Sequence, residues 1–319
     1  MGARGSWYQM DIHAQGLLKT YKARAVVDDL SFTLEPRKIT GFLGPNGSGK
    51  STTMALMLGL VFGKGAVTFD GKKYVNLKDG PTRVGAYLGP GTFHPKYTAR
   101  KHLTVSAFTR GVAIARVAEV LKMVGLESAS TTRVKAMSTG MLQKLGIATA
   151  VLTNPDVLIL DEPANGLDPQ SVQWLRIFLN DFTKNGGTVL ISSHLINEIS
   201  LFADNLLVIA QGRLIASESL DTFLKRQRPV GFKVRTEQSE KFLQILNDSK
   251  LAAERVSEDV VLAKVVTSLD FMKVAVKNDI ELLEVTPVGS SVEDIFLTLT
   301  AGKDDYSTTA GRLIAEGEK

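Results

Sequence analysis

The chain has no cysteine among its 319 residues. Disulfides and thiolate metal sites are thereby excluded, and the composition fits a reducing compartment. No run of about 18 apolar residues occurs, so no stretch reads as a membrane-spanning helix. The longest candidate, from Met54 to Phe62, has the length of a core helix. The first residues, Met1-Gly2-Ala3-Arg4-Gly5-Ser6-Trp7, show no secretory signal and lead into strand-like sequence. A polybasic stripe is also missing: 38 basic and 33 acidic residues are spread along the chain, which gives little support for nucleic acid or lipid headgroups as partners. What is there, 44% hydrophobic and 22% charged, suffices for one large core and a smaller module.

The most informative stretch is Gly44-Pro45-Asn46-Gly47-Ser48-Gly49-Lys50-Ser51, which has the spacing of a phosphate-binding loop. Glycines allow a tight turn that aims successive backbone N–H groups inward, forming an anion nest at a helix N-terminus. Lys50 then reaches the β- and γ-phosphates of a nucleoside triphosphate, Ser51 holds Mg²⁺, and Thr52 completes the binding set. The flanks agree. Lys38 to Leu43 reads as a short apolar strand entering the loop and Ser51 to Leu60 as an apolar helix leaving it.

A second half-site follows about a hundred residues on. Asp156-Val157-Leu158-Ile159-Leu160-Asp161-Glu162 is an apolar run ending in two carboxylates. Such a run suits a parallel strand buried on both faces, and ligands of open α/β sheets bind at the carboxyl ends of such strands. Asp161 is positioned to support a metal and Glu162 to polarise an attacking water. Further along, His194 ends the apolar strand Thr188 to Ile191. Asp168-Pro169 and Ser138 both read as helix starts, and free N–H groups at a helix start can also meet a phosphate.

In this order the motifs resemble the ATP-binding cassette family from about Met10 to about Arg226. Asp161-Glu162-Pro163 is similar to the family's Walker B ending, Ala164 to Pro169 to its D-loop, Ser192-Ser193-His194 to its switch histidine, and Ser138-Thr139-Gly140-Met141-Leu142-Gln143-Lys144 to its signature segment. Tyr21, ahead of the phosphate loop, resembles the A-loop aromatic that stacks on adenine. The resemblance implies Glu162 as general base, His194 on the γ-phosphate and Asp168 as a catalytic D-loop residue. It also implies Ser138, Gly140 and Met141 reaching the nucleotide held by a second subunit.

Two departures stand out. Gly89 occupies the position where the family usually has the Q-loop glutamine, and no Gln or Glu occurs between Leu77 and Lys101. Thr139 and Met141 replace a glycine and a glutamine of the signature, a pattern that looks like drug- and lantibiotic-exporter cassettes.

The expected fold is an α/β P-loop NTPase cassette, residues 1–226, with an antiparallel β subdomain and a helical insert over about 93–136. That insert offers apolar residues at Leu103, Phe108 and Val112. Strand-like Phe232 to Val234, Val260 to Leu262 and Leu282 to Val285 place a small α+β domain at 230–300. Ser290 to Phe296 resembles a closing helix, and residues 302–319 read as a mobile tail. The implied function is ATP hydrolysis, with ATP and Mg²⁺ bound, by a head-to-tail cassette dimer at the cytoplasmic face of a membrane. It would power separate hydrophobic permease subunits, as an exporter of a drug, antibiotic or lipid-like compound. A soluble cassette ATPase acting on ribosomes or DNA, or a low-turnover regulatory subunit, are the alternatives.

Overall fold

Every residue of Ile39–Leu43 and of Val157–Leu160 is buried, as continuous apolar strands require when both faces of a parallel sheet are covered. A computed structural model describes residues 10–89, 93–225, 229–264 and 268–289. Among them the chain divides into two compact units, separated between Leu220 and Asp221.

The first unit begins with β1 (Ile12–Tyr21), β2 (Arg24–Leu34), β3 (Ile39–Leu43), α1 (Lys50–Met57), β4 (Lys64–Phe69), α2 (Gly80–Arg83) and β5 (Val84–Tyr87). The helices α3 (Ala99–Thr109), α4 (Ala115–Met123) and α5 (Thr139–Val151) follow, then β6 (Val157–Leu160), α6 (Pro169–Lys184), β7 (Thr188–Ser193), α7 (Ile196–Ile199), β8 (Asn205–Ala210) and β9 (Arg213–Ser219). A six-stranded sheet has the order β5-β6-β7-β3-β8-β9, parallel except for the antiparallel β8–β9 pair. The smaller antiparallel sheet β2-β1-β4 shares a core with it: Ile12, Leu30, Leu34 and Phe69 pack with Phe42, Met54 and Ile159.

The parallel order matters for function. It brings the carboxyl ends of β3, β6 and β7 side by side, and these ends carry the phosphate loop, the two carboxylates and His194 respectively. In the helical insert, α3 starts at the Thr98 cap, whose hydroxyl accepts from Lys101 N–H at 3.1 Å. Leu103 and Phe108, expected together on an apolar face, have different fates: Leu103 is fully buried, and Phe108 is 81% exposed. Helical phase separates them, because five residues advance the helix by about 140° rather than a whole number of turns.

After α8 (Leu220–Leu224), the second unit contains β10 (Pro229–Arg235), α9 (Ser239–Asp248), β11 (Ala253–Arg255), β12 (Val260–Ala263), α10 (Ser268–Lys277) and β13 (Glu284–Gly289). Its antiparallel sheet has the order β11-β12-β10-β13. This βαββαβ arrangement is ferredoxin-like, with Phe232, Val234, Phe242, Leu246, Val261 and Phe271 forming its own core. The expected strand at Leu282 to Val285 is shifted, since β13 begins only at Glu284, and β11, three residues with two charges, gave no strand signal in the sequence. The expected closing helix at Ser290 to Phe296 and the tail from Gly302 lie outside the described residues.

Candidate active site

The phosphate loop is shaped by its glycines. Gly47 and Gly49 have φ of 80° and 107°, in the left-handed region that glycine adopts without steric cost. A side chain at Gly49 would meet Val26 O at 2.5 Å, and one at Gly44 would meet Ile209 O and Ser48 Oγ, each at 2.5 Å. The loop therefore runs too close to β2 and β8 for any other residue. The Ser48 hydroxyl is buried and has no hydrogen-bond partner among the described residues, which leaves its donor and acceptor capacity to the loop interior. Pro45 and Asn46 form the outer turn, where Pro45 O accepts from Ser48 N–H at 3.1 Å. Gly49 caps α1, whose first residues are Lys50, Ser51 and Thr52, with Ser51 exposed.

Lys50 is 6% exposed, and its ammonium donates to Gly44 O at 2.6 Å and to Pro45 O at 3.3 Å. It also lies 3.3 Å from Glu162 Oε1. Burial pushes the Lys50 pKa down, and the Glu162 and Asp161 carboxylates oppose that shift. The other Glu162 oxygen, Oε2, is 2.9 Å from His194 Nδ1. One carboxylate thus joins the loop at the end of β3 to the histidine after β7.

Glu162 has φ of 47°, a conformation that costs a non-glycine residue about 1 kcal/mol or more. Its backbone is held from both sides. Glu162 N–H donates to Ser192 Oγ at 2.8 Å, and the Ser192 hydroxyl donates to Asp161 Oδ1 at 2.6 Å. Gln143 of α5 donates to Asn165 O at 3.2 Å and to Glu162 O at 3.5 Å. Ser192 and Gln143 lie inside the sequence motifs, but nothing local assigns either a role. Their tertiary partners are 30 and 22 residues away, beyond the reach of local pattern.

Ser138 caps α5 by accepting from Met141 N–H at 3.3 Å, and Asp168 caps α6 by accepting from Ser171 N–H at 2.7 Å, with Pro169 following. The Ser171 bond lowers the Asp168 pKa. Both residues thus serve as the helix starts the sequence suggested. The segment around Gly140 packs on the turn after Glu162: a side chain at Gly140 would lie 3.4 Å from Leu167, and one at Gly166 would lie 3.0 Å from Thr139.

Tyr21 ends β1 half-exposed, with the Lys19 ammonium 4.7 Å from its ring centre. Its register partner is Arg24. From Arg24 a cleft of about 540 Å³ runs past Val26 to Gly47 of the phosphate loop, closed on its other side by Gln211 and Arg213. Apart from Gly47, those lining residues were not anticipated from sequence, because they come from the start of β2 and from the turn between β8 and β9 with its flanking residues.

No three His, Cys, Asp or Glu side chains converge as a metal cluster among the described residues. A hydroxyl at Ser51 and one carboxylate at Asp161 nevertheless match Mg²⁺, which takes one or two carboxylates together with substrate phosphates and water.

The family described as ABC transporter matches residues 27–165. The chain is 33% identical to the uncharacterized ABC transporter ATP-binding protein YhcH of Bacillus subtilis (strain 168), over 91% of this chain and 95% of that protein. It is 32% identical to the bacitracin transport ATP-binding protein BcrA of Bacillus licheniformis, over 91% and 97% of the two chains. A solved structure of an ATP-binding subunit of an ABC transporter superposes with a TM-score of 0.62 at 26% identity, covering 68% of this chain and 92% of that one.

Proposed function

The chain belongs to the ABC transporter ATP-binding proteins, a family of ATPases, and on that premise we propose how its own residues perform hydrolysis. The phosphate loop Gly44 to Ser51, with Thr52, wraps the triphosphate in backbone N–H groups, and Lys50 exchanges its loop carbonyls for phosphate oxygens. The ring of Tyr21 stacks on the base. Ser51 and Asp161 hold Mg²⁺, which when bound neutralises phosphate charge. Glu162 accepts the proton of the attacking water, and His194 orients the Glu162 carboxylate and faces the γ-phosphate. The single observation carrying this reading is the Glu162 carboxylate lying between Lys50 at 3.3 Å and His194 at 2.9 Å.

Ser138, Gly140, Met141 and Asp168 complete the site of a second copy in a head-to-tail dimer. The cassette pair drives hydrophobic permease subunits from the cytoplasmic face of a membrane. No helix among the described residues is long and apolar enough to cross a membrane. Exposed Phe62 and Phe108 provide apolar surface for such a partner. Similarity to a bacitracin transport protein favours export of an antibiotic or a related amphipathic compound. Co-purification in detergent tests the reading. Recovery of a hydrophobic permease, with ATPase activity that depends on Lys50, supports it; recovery of ribosomes or DNA instead overturns the transport role.

A further inference from the structure

Tyr87 stands at a junction of three parts of the first unit. Its backbone oxygen accepts from Asp161 N–H at 2.8 Å, so it holds the first acidic residue of the site directly. Its ring is buried and packs on α5 at Gly146, where an added Cβ would come within 2.2 Å of ring carbon Cε2. A glycine inside a helix costs about 1 kcal/mol relative to alanine, and this one is needed because the ring occupies the space. A second contact of the Tyr87 ring is with Phe93, with centroids 6.5 Å apart and planes inclined by 16°. Phe93 meets His102 of α3 edge-on, at 5.0 Å and 90°. His102 Nε2 lies 3.0 Å from the hydroxyl of Thr149 on α5, and Arg110 donates to Thr149 O at 2.7 Å, so the far end of the stack is anchored as well.

Gly89, two residues beyond Tyr87, has φ of 104°, and nothing lies within 4 Å of the position a Cβ would take. At that point the backbone offers no side-chain contact to either the carboxylates or the insert. The aromatic stack does, because interdigitated rings in a close-packed region cannot shift independently.

We propose that Tyr87 and Phe93 are positioning residues that couple the orientation of the α3 segment to Asp161 and Glu162, in place of a side chain at position 89. The proposal rests on Asp161 and Glu162 being nucleotide-site residues. Tyr87 transmits through its backbone bond to Asp161 and its ring contact with Phe93, and His102 receives the contact on α3. Spatial continuity alone does not demonstrate coupling, so the test must perturb one member and read two positions.

Because the chain lacks cysteine, Lys72→Cys and Lys122→Cys can be spin-labelled without background, one on the strand-rich part and one on the insert. Pulsed electron resonance on the full chain gives the distance between them, without nucleotide and with a non-hydrolysable ATP analogue plus Mg²⁺. The labelled parent is expected to show one distance that shifts on binding. Phe93→Ala should broaden the distribution and remove the shift at an analogue concentration that a fluorescence titration of the variant shows to be saturating; Phe93→Tyr should restore the shift. Gly89→Gln should leave it as in the parent. A shift that persists in Phe93→Ala, or no shift in the parent with analogue bound, overturns the proposal. Should Phe93→Ala not fold, Phe93→Leu, which keeps apolar volume but not the ring, is read in the same way. Failure of the analogue to bind the parent overturns instead the assignment of the nucleotide site, and the proposal with it.

Discussion

His194 Nδ1 lies 2.9 Å from Glu162 Oε2, although the two residues are 32 positions apart and belong to different strand ends. The contact fixes which way the Glu162 carboxylate points, because the other oxygen is already 3.3 Å from Lys50 Nζ. A carboxylate held at both oxygens by cationic or proton-donating groups is preorganised, and preorganised electrostatics reduce the reorganisation needed during reaction.

Removing the charge at this position separates binding from hydrolysis. Glu162→Gln should still bind ATP and dimerise on it, and should turn over at least about 100-fold more slowly, the scale of a general base. Steady-state ATPase assays check the rate, and size-exclusion chromatography with ATP checks the trapped dimer. An unchanged rate removes Glu162 from the base role.

Ser192 acts behind the carboxylates. Ser192→Ala should leave Glu162 N–H and Asp161 Oδ1 without their shared partner, at a cost of about 1–3 kcal/mol for unsatisfied buried groups. Denaturant unfolding should show that loss, and turnover should fall because the left-handed backbone at Glu162 loses its anchor. Wild-type stability and turnover in this variant would show that the two bonds are dispensable.

Stacking on one aromatic face contributes on the order of 1 kcal/mol. Tyr21→Ala should therefore raise the ATP dissociation constant several-fold while the phosphate loop is untouched. A titration with no change would return Tyr21 to an exposed structural residue.

The insert offers a paired comparison. Phe108→Asp, at a residue 81% exposed, should leave ATP binding and melting temperature near wild type and abolish co-purification with a permease. Leu103→Asp, at a fully buried residue on the same helix, should unfold the insert. A folded Phe108→Asp protein that still retains the permease rules out this surface.

Asp168 supplies a pH dependence. Its carboxyl pKa is lowered first of all by the Ser171 N–H, so the stabilisation from this cap is present above the unfolded-chain value of about 3.9 and is lost as pH falls through the folded value. Asp168→Ala should thus melt below wild type at neutral pH, with the gap narrowing below about pH 4. A gap independent of pH would assign the effect to packing.

The phosphate loop, the acidic strand end and His194 were legible in the sequence because each is a local pattern: glycine spacing, an unbroken apolar run, a polar stop after a strand. The helix starts at Ser138 and Asp168 were legible for the same reason, and both cap as expected. The short strand β11 was not, since three residues with two charges carry no periodicity, and neither was the register of β13.

The sequence by itself determined the loop, the strand ends and the helix starts on which the proposed chemistry rests, because loop geometry and strand burial depend on residue type over a few neighbouring positions. Only the tertiary structure decided how they meet. The order β6-β7-β3 brings Glu162, His194 and Lys50 together, Ser192 becomes the bridge between the two carboxylates, and Tyr87 reaches Phe93, Gly146 and Asp161 at once. Those contacts join residues far apart in the chain, and strand order and ring packing fix them through the collective burial of a shared core rather than through any local signal.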